Sequence, residues 1–243
     1  MTPLERSISE RAVLFAKANR TRIARELACL SRYPGEEYPV SVFMAGSPGA
    51  GKTEVSKSFI RLMEAHGSTA LRIDPDDFRE YFPEYTGGNS SLFQRGVTAI
   101  VERTVDLVYQ QCQSFLLDGT LANLDVAREN VQRALDKKNR SVQVIYVYQK
   151  PTLAWEFVLA REAIEGRNIP CNEFVRQFYA SKATVCQLNR EFQDRLQVDV
   201  LIKDTDGGDA EVGIDLSAED VDELVSQPYY PDQLEQILTG AAL

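Results

Sequence analysis

Apolar positions recur at two different spacings along the chain, and the two alternate. Residues 4–32 carry Ile8, Val13, Leu14, Ile23, Leu27 and Leu30 at helical intervals, with Lys17, Arg20, Arg22 and Arg25 between them; Tyr33-Pro34-Gly35 closes the stretch. The β-branched run Val40, Val42, Phe43, Met44 predicts a first strand, and Val55, Phe59, Leu62 and Met63 predict an amphipathic helix soon after it. Residues 70–73 predict a short second strand. Pro75 stops it by keeping Asp74 extended, so Asp76 or Asp77 opens a short helix as its cap. Residues 82–91 have the composition of a loop, and a helix follows over about 92–113. A third strand is expected at 115–117, a helix at 123–138 and a Val/Ile/Tyr-rich fourth strand at 141–148. Helices over 151–166 and about 172–192 are separated by the breaker Gly166-Arg167-Asn168-Ile169-Pro170. Residues 198–202 form the fifth strand, and 204–209 (DTDGGD) read as an exposed turn. Two short acidic helices, around Pro228 and Pro231, fill the tail over 216–238.

Strands alternating with helices predict an α/β fold with a mostly parallel five-stranded sheet flanked by helices. The expected organisation is a helical extension over 1–38, a central domain over 39–206 with a helical pair at about 151–192, and an acidic helical tail over 207–243 packed on the same domain.

Chemistry enters between the first strand and its helix. Gly46-Ser47-Pro48-Gly49-Ala50-Gly51-Lys52-Thr53 matches the phosphate-binding loop pattern G-x-x-x-x-G-K-[ST] at every position. Glycines let the backbone turn tightly and aim several N–H groups at one phosphate, and the following helix adds its positive end. Lys52 would reach the β- and γ-phosphates of ATP, and the Thr53 hydroxyl would hold a bridging Mg²⁺. Asp74, Asp76 and Asp77 crowd the C-terminal end of the second strand, where a phosphoryl acceptor would sit; a helix cap accounts for one of them better than for three. Asp118-Gly119-Thr120 closes the third strand. An acid there reads equally as a carboxylate acting on Mg²⁺ or its waters and as a helix cap. The two helices hinged at 166–170, which bear Arg161 and Arg167, have the form of a nucleotide-kinase lid.

Composition narrows the remaining options. The 243 residues are enough for one full core, and no apolar stretch approaches a membrane span or a signal-peptide core. Four cysteines (Cys29, Cys112, Cys171, Cys186) lie far apart without a C-x-x-C pair, as expected of reduced thiols in a cytoplasmic protein. His66, the single histidine, falls at a helix end, so Ser-His hydrolysis and His-based metal sites are excluded. A net charge of −9 argues against a nucleic-acid partner.

Taken in order, GSPGAGKT, IDPDDFR after the second strand, DGT after the third and the lid segment AREAIEGRNIP resemble the zeta-toxin family of P-loop kinases. Less closely, they are similar to phage-type polynucleotide kinases and chloramphenicol phosphotransferases. The resemblance covers about 40–192. It implies ATP-dependent phosphorylation of a hydroxyl; in zeta toxins the acceptor is the 3′-hydroxyl of a UDP-activated N-acetyl amino sugar. It further implies Asp76 as catalytic base, Lys52, Arg161 and Arg167 as the cations of phosphoryl transfer, and Asp74, Arg79, Asp118 and Thr120 on the acceptor side. The family has Glu-Gly-Thr where this chain has Asp118-Gly119-Thr120, one methylene shorter. Zeta toxins are held inactive by an antitoxin helix that obstructs the nucleotide site. The resemblance therefore implies an antitoxin partner. It does not account for the chain's own N-terminal helix, whose apolar positions suit packing on the back of the domain and whose basic residues suit the alternative, self-inhibition by covering the ATP site.

Overall fold

The computed structural model describes residues 1–166, 168–203, 211–225, 227 and 229–240. Helix α1 (Pro3–Leu27) leads to strand β1 (Val40–Ala45), helix α2 (Lys52–Ala65) and strand β2 (Ala70–Ile73). Two short 3-10 turns, Asp77–Tyr81 and Ser90–Phe93, precede α3 (Gln94–Gln110), β3 (Ser114–Leu117), α4 (Leu124–Leu135) and β4 (Ser141–Tyr148). Then come α5 (Pro151–Glu165), α6 (Cys171–Phe192), β5 (Gln197–Ile202), β6 (Glu211–Gly213), α7 (Ala218–Leu224) and α8 (Pro231–Thr239).

The sheet runs β2-β3-β1-β4-β5-β6, parallel from β2 to β5. All five expected strands are present. The sixth, β6, was not expected: it adds antiparallel to β5, with Val200 opposite Gly213 and Ile202 opposite Glu211. Its three residues are too few to display a period of two.

Central β1 is apolar at successive positions because both its faces are covered. Val42 and Met44 pack with Leu116, Ile145 and Val147 under Val55, Phe59 and Ile60 of α2. Phe43 and Ala45 point the other way, into the larger core with Phe115, Tyr146, Val97, Ile100, Val131 and Leu188. Helix α1 lies along α3 and adds Ala12, Ala16, Ile23 and Ala24 to this core. The two helices touch at Gly96, where a Cβ would crowd the Phe82 ring and the Ala12 carbonyl; that close approach offsets the roughly 1 kcal/mol that glycine costs in a helix.

Helix ends depend on contacts distant in sequence. The N-terminal helix stops at Leu27 rather than at Arg32 because the Gln113 side chain donates to the carbonyls of Ala28 and Tyr33. His66 is the C-cap of α2, its Nδ1 2.8 Å from the Leu62 carbonyl. Helices α5 and α6 share a smaller core, Ala154, Val158, Phe174 and Phe178, which Leu234 of α8 completes. Lys182 of α6 holds the end of α7, donating to the Val225 carbonyl at 2.8 Å and pairing with Asp222 at 3.0 Å. The turn expected at 204–209, and Pro228 of the tail, lie outside the described residues.

Candidate active site

The phosphate-loop octet joins β1 to α2, and its glycines are required by contact as well as by turning. Gly46 (φ 136°) and Gly49 (φ 73°) have backbone angles that other residues rarely adopt. A Cβ on Gly46 would overlap the Val147 carbonyl, and one on Gly49 the Ala154 carbonyl, so the loop is pressed between the end of β4 and α5. The Thr120 carbonyl anchors it from β3, accepting from the Gly46 N–H at 3.2 Å and from Ser181 Oγ at 2.7 Å.

Lys52 opens α2 and donates to the carbonyls of Gly46 (2.9 Å) and Ser47 (2.7 Å). Burial is the main influence on its ammonium and lowers its pKa to about 8, against the pull of Asp118, Asp76 and Asp74. Such a group gains from an incoming phosphate more than a solvated lysine does, since little water must be displaced.

One cleft of about 700 Å³ gathers most of the residues singled out from the sequence. Pro48, Gly49, Gly51, Lys52 and Thr53 line it from the loop, while Ser47 and Ala50 are buried behind. Asp74, Asp76 and Arg79 line it from β2 and the turn that follows. Asp118 and Thr120 come from the segment just after β3, and Arg161 from α5. Arg167 lies outside the described residues. No residue of α1 lines the cleft, so the structure gives no basis for obstruction by the N-terminal helix.

The turn after β2 differs from the expected cap. Asp76 holds the N-cap position of the 3-10 turn but makes no side-chain capping bond. Asp74 does that work: its Oδ1 accepts the Asp76 N–H at 2.9 Å. The Asp76 carboxylate instead meets two arginines, with Oδ1 on Arg79 Nη1 and Oδ2 3.4 Å from Arg161 Nη2. Arg79 is almost wholly buried and also donates to Gln94 Oε1 at 3.0 Å. Burial raises the pKa of Asp74, reinforced by Asp76 and Asp118 and opposed by the Asp76 amide and Arg72.

Sequence reasoning overlooked Arg72 and Ser56. The Arg72 guanidinium donates to Asp74, to Asp118 Oδ2 at 2.7 Å, to Asp77 Oδ2 at 3.3 Å and to Ser56 Oγ at 3.1 Å. Ser56 Oγ in turn lies 3.0 Å from Asp118 Oδ2, so this oxygen of the shorter acid is directed inward. The available signal was a single charge inside the apolar strand Ala70-Leu71-Arg72-Ile73, next to three aspartates. Lys203, just after β5, is a further cation over the loop: a Cβ on Gly51 would overlap its Nζ, which is 3.8 Å from Glu54 Oε2.

Solved structures share this arrangement of elements. A structure from the PezAT chromosomal toxin–antitoxin system of Streptococcus pneumoniae superposes with a TM-score of 0.63 at 19% identity, covering 93% of this chain and 92% of that one. The AvrRxo1-ORF1:AvrRxo1-ORF2 structure with ATP gives a TM-score of 0.63 at 17% identity, covering 94% and 74%. The Pnkp1/Rnl/Hen1 RNA repair complex gives 0.51 at 18% identity, covering 66% and 48%. At these identities the likeness is one of fold. No curated protein sequence matches the chain. The family model described as zeta toxin matches residues 23–211, most of the length, and the chain belongs to the zeta toxin family of P-loop kinases.

Proposed function

We propose that the protein transfers the γ-phosphoryl group of ATP to a hydroxyl of a small-molecule acceptor, a UDP-activated N-acetyl amino sugar. The observation that carries this reading is the Asp76 carboxylate, held on the cleft wall between Arg79 and Arg161 in the same cleft as Lys52 and Thr53. A carboxylate, guanidinium groups and the phosphate-binding loop line one cleft, and phosphoryl transfer calls on groups of these kinds.

A sugar hydroxyl is far less acidic than a carboxylic acid, so Asp76 cannot deprotonate it in the ground state. It orients the hydroxyl and accepts the proton late, in a loose transition state. Lys52, Arg161 and, by family resemblance, Arg167 stabilise the charge spread over the transferring group. Among the described residues no three His, Cys, Asp or Glu side chains are grouped to hold a metal by themselves. Mg²⁺ keeps waters and substrate phosphates as ligands, so one protein hydroxyl beside a triphosphate, that of Thr53 on the cleft wall, is a donor it can take. The Thr53 hydroxyl would hold the ion, which when bound neutralises charge on the β- and γ-phosphates. Asp74, Arg79, Asp118 and Thr120 stand on the acceptor side of this scheme.

The PezAT neighbour is part of a toxin–antitoxin system and the AvrRxo1 neighbour is a two-chain complex. On that ground an antitoxin partner belongs to the proposal, as does action in the cytoplasm, where ATP and nucleotide sugars meet. No helix among the described residues is long and apolar enough to cross a membrane. Labelled ATP offered with a panel of UDP-sugars, nucleosides and 5′-hydroxyl oligonucleotides tests the acceptor. Label on a UDP-N-acetyl amino sugar supports the reading, whereas label on oligonucleotide ends replaces it with a polynucleotide kinase.

A further inference from the structure

Arg72 lies behind the cleft wall and does not line the cleft, yet it connects the acids of both strands that end there. We propose that Arg72 is a positioning residue for phosphoryl transfer: it fixes Asp74, Asp74 fixes the turn that carries Asp76, and the same guanidinium ties Asp118 into the frame. The inference rests on the kinase reading above, with Asp76 as the base.

The geometry assigns each atom a task. Asp74 Oδ2 accepts from Arg72 Nη2, and its Oδ1 accepts the Asp76 N–H at 2.9 Å. The carboxylate is therefore held at both oxygens and cannot rotate without releasing one partner. The Asp74 carbonyl also accepts the Asp77 N–H at 3.1 Å, so the whole turn is referenced to this residue. Downstream, Phe78 and Arg79 are buried, which leaves the Asp74 end as the side from which Asp76 could drift. A displacement of about 1 Å at a reacting group can cost on the order of a hundredfold in rate.

A bare positive charge would not do the same work. Arg72 reaches Asp74, Asp118 and Ser56 at once because its planar fork presents several N–H groups in fixed directions. A lysine ammonium would neutralise the acids but could not span β2, β3 and α2 together. In addition, Asp74 and Asp118 share one guanidinium nitrogen, so without it two largely buried carboxylates would face each other.

The test measures transfer from labelled ATP to UDP-N-acetylglucosamine by the full chain, as kcat and as KM for ATP. In Arg72→Met, kcat should fall about tenfold or more while the KM for ATP stays within about threefold. Arg72→Lys should remain at least about fivefold below wild type, because charge alone does not restore the fork. The double variant Arg72→Met/Asp74→Ala should be no slower than the slower single variant, since both substitutions release the same turn. Wild-type kcat in Arg72→Lys, a KM for ATP that rises in step with the loss, or multiplicative losses in the double variant would each overturn the assignment. If Arg72→Met does not fold, the kcat of Arg72→Lys decides. A wild-type protein that phosphorylates none of the panel removes the kinase reading itself, and this inference with it.

Discussion

Arg161 Nη2 lies 3.4 Å from Asp76 Oδ2, joining α5 to the turn after β2 across the mouth of the cleft. The other oxygen of the same carboxylate is held by Arg79. The two arginines differ in freedom: the Arg161 side chain is 50% exposed and that of Arg79 only 6%. Under the proposed function, the more exposed Arg161 is the cation suited to meet a transferring phosphoryl group, and the buried Arg79 is the one suited to hold Asp76 in place.

Arg161→Ala should therefore lower turnover by about tenfold or more and weaken ATP binding by less, since the charge is needed mainly in the transition state. Steady-state kinetics beside direct nucleotide binding measures both. Equal and small effects would return Arg161 to the role of a surface ion pair.

Asp76→Asn should leave ATP affinity nearly unchanged and reduce turnover by ~10² or more, as loss of a general base does. The comparison is Asp77→Asn: the Asp77 side chain is 68% exposed and pairs with Arg72 at 3.3 Å. A large loss in the Asp77 variant together with an active Asp76 variant would move the base by one residue.

Lys52 carries a pH signature. Burial, its largest influence, lowers its pKa to about 8 in the fold, below the ordinary lysine value of the unfolded chain. Between those two values the unfolded state holds more protons, so the cost of burying the Lys52 ammonium is fully present below about pH 8 and is relieved as pH rises toward the ordinary lysine value. Triphosphate binding has the opposite preference, for the ammonium. ATP binding at about pH 8.5 should thus take up a fraction of a proton, and affinity should fall as pH climbs further. Calorimetric titration in two buffers of different ionisation enthalpy reads the uptake. Uptake that persists in Lys52→Met would assign it to another group.

The N-terminal helix acts as a brace. Ile23 is fully buried in the main core, and α1 adds nothing to the cleft wall. Ile23→Ala should cost about 2–4 kcal/mol of stability and leave the ATP affinity of the folded protein unchanged. Denaturant unfolding and nucleotide binding check the two halves. Tighter ATP binding in this variant would contradict the brace.

The residues legible in the sequence were those whose chemistry is local. Gly46 through Thr53 carry their own spacing, and Val40 to Met44 show a strand buried on both faces. Asp76 and Arg161 were nameable from the family's motif order, but their meeting was not, since 85 residues separate them. What stayed hidden depends on contacts between segments. Asp74 rather than Asp76 supplies the capping bond because the Asp76 carboxylate is engaged by Arg79 of the same turn and by Arg161 of α5. Arg72 looked like a charge on a short strand, and its partners come from β3 and α2. The end of α1 at Leu27 is set by Gln113, and β6 has no pattern apart from β5.

The central claim is that this cleft moves the γ-phosphoryl group of ATP onto a hydroxyl. The most direct measurement is single-turnover transfer of γ-labelled phosphate to a UDP-N-acetyl amino sugar, with wild type and Lys52→Ala in parallel. Wild type should yield a labelled sugar nucleotide. Lys52→Ala should yield essentially none, because the β- and γ-phosphates lose their main side-chain counter-charge. Equal transfer by both proteins, or no labelled hydroxyl acceptor from wild type, would contradict the account.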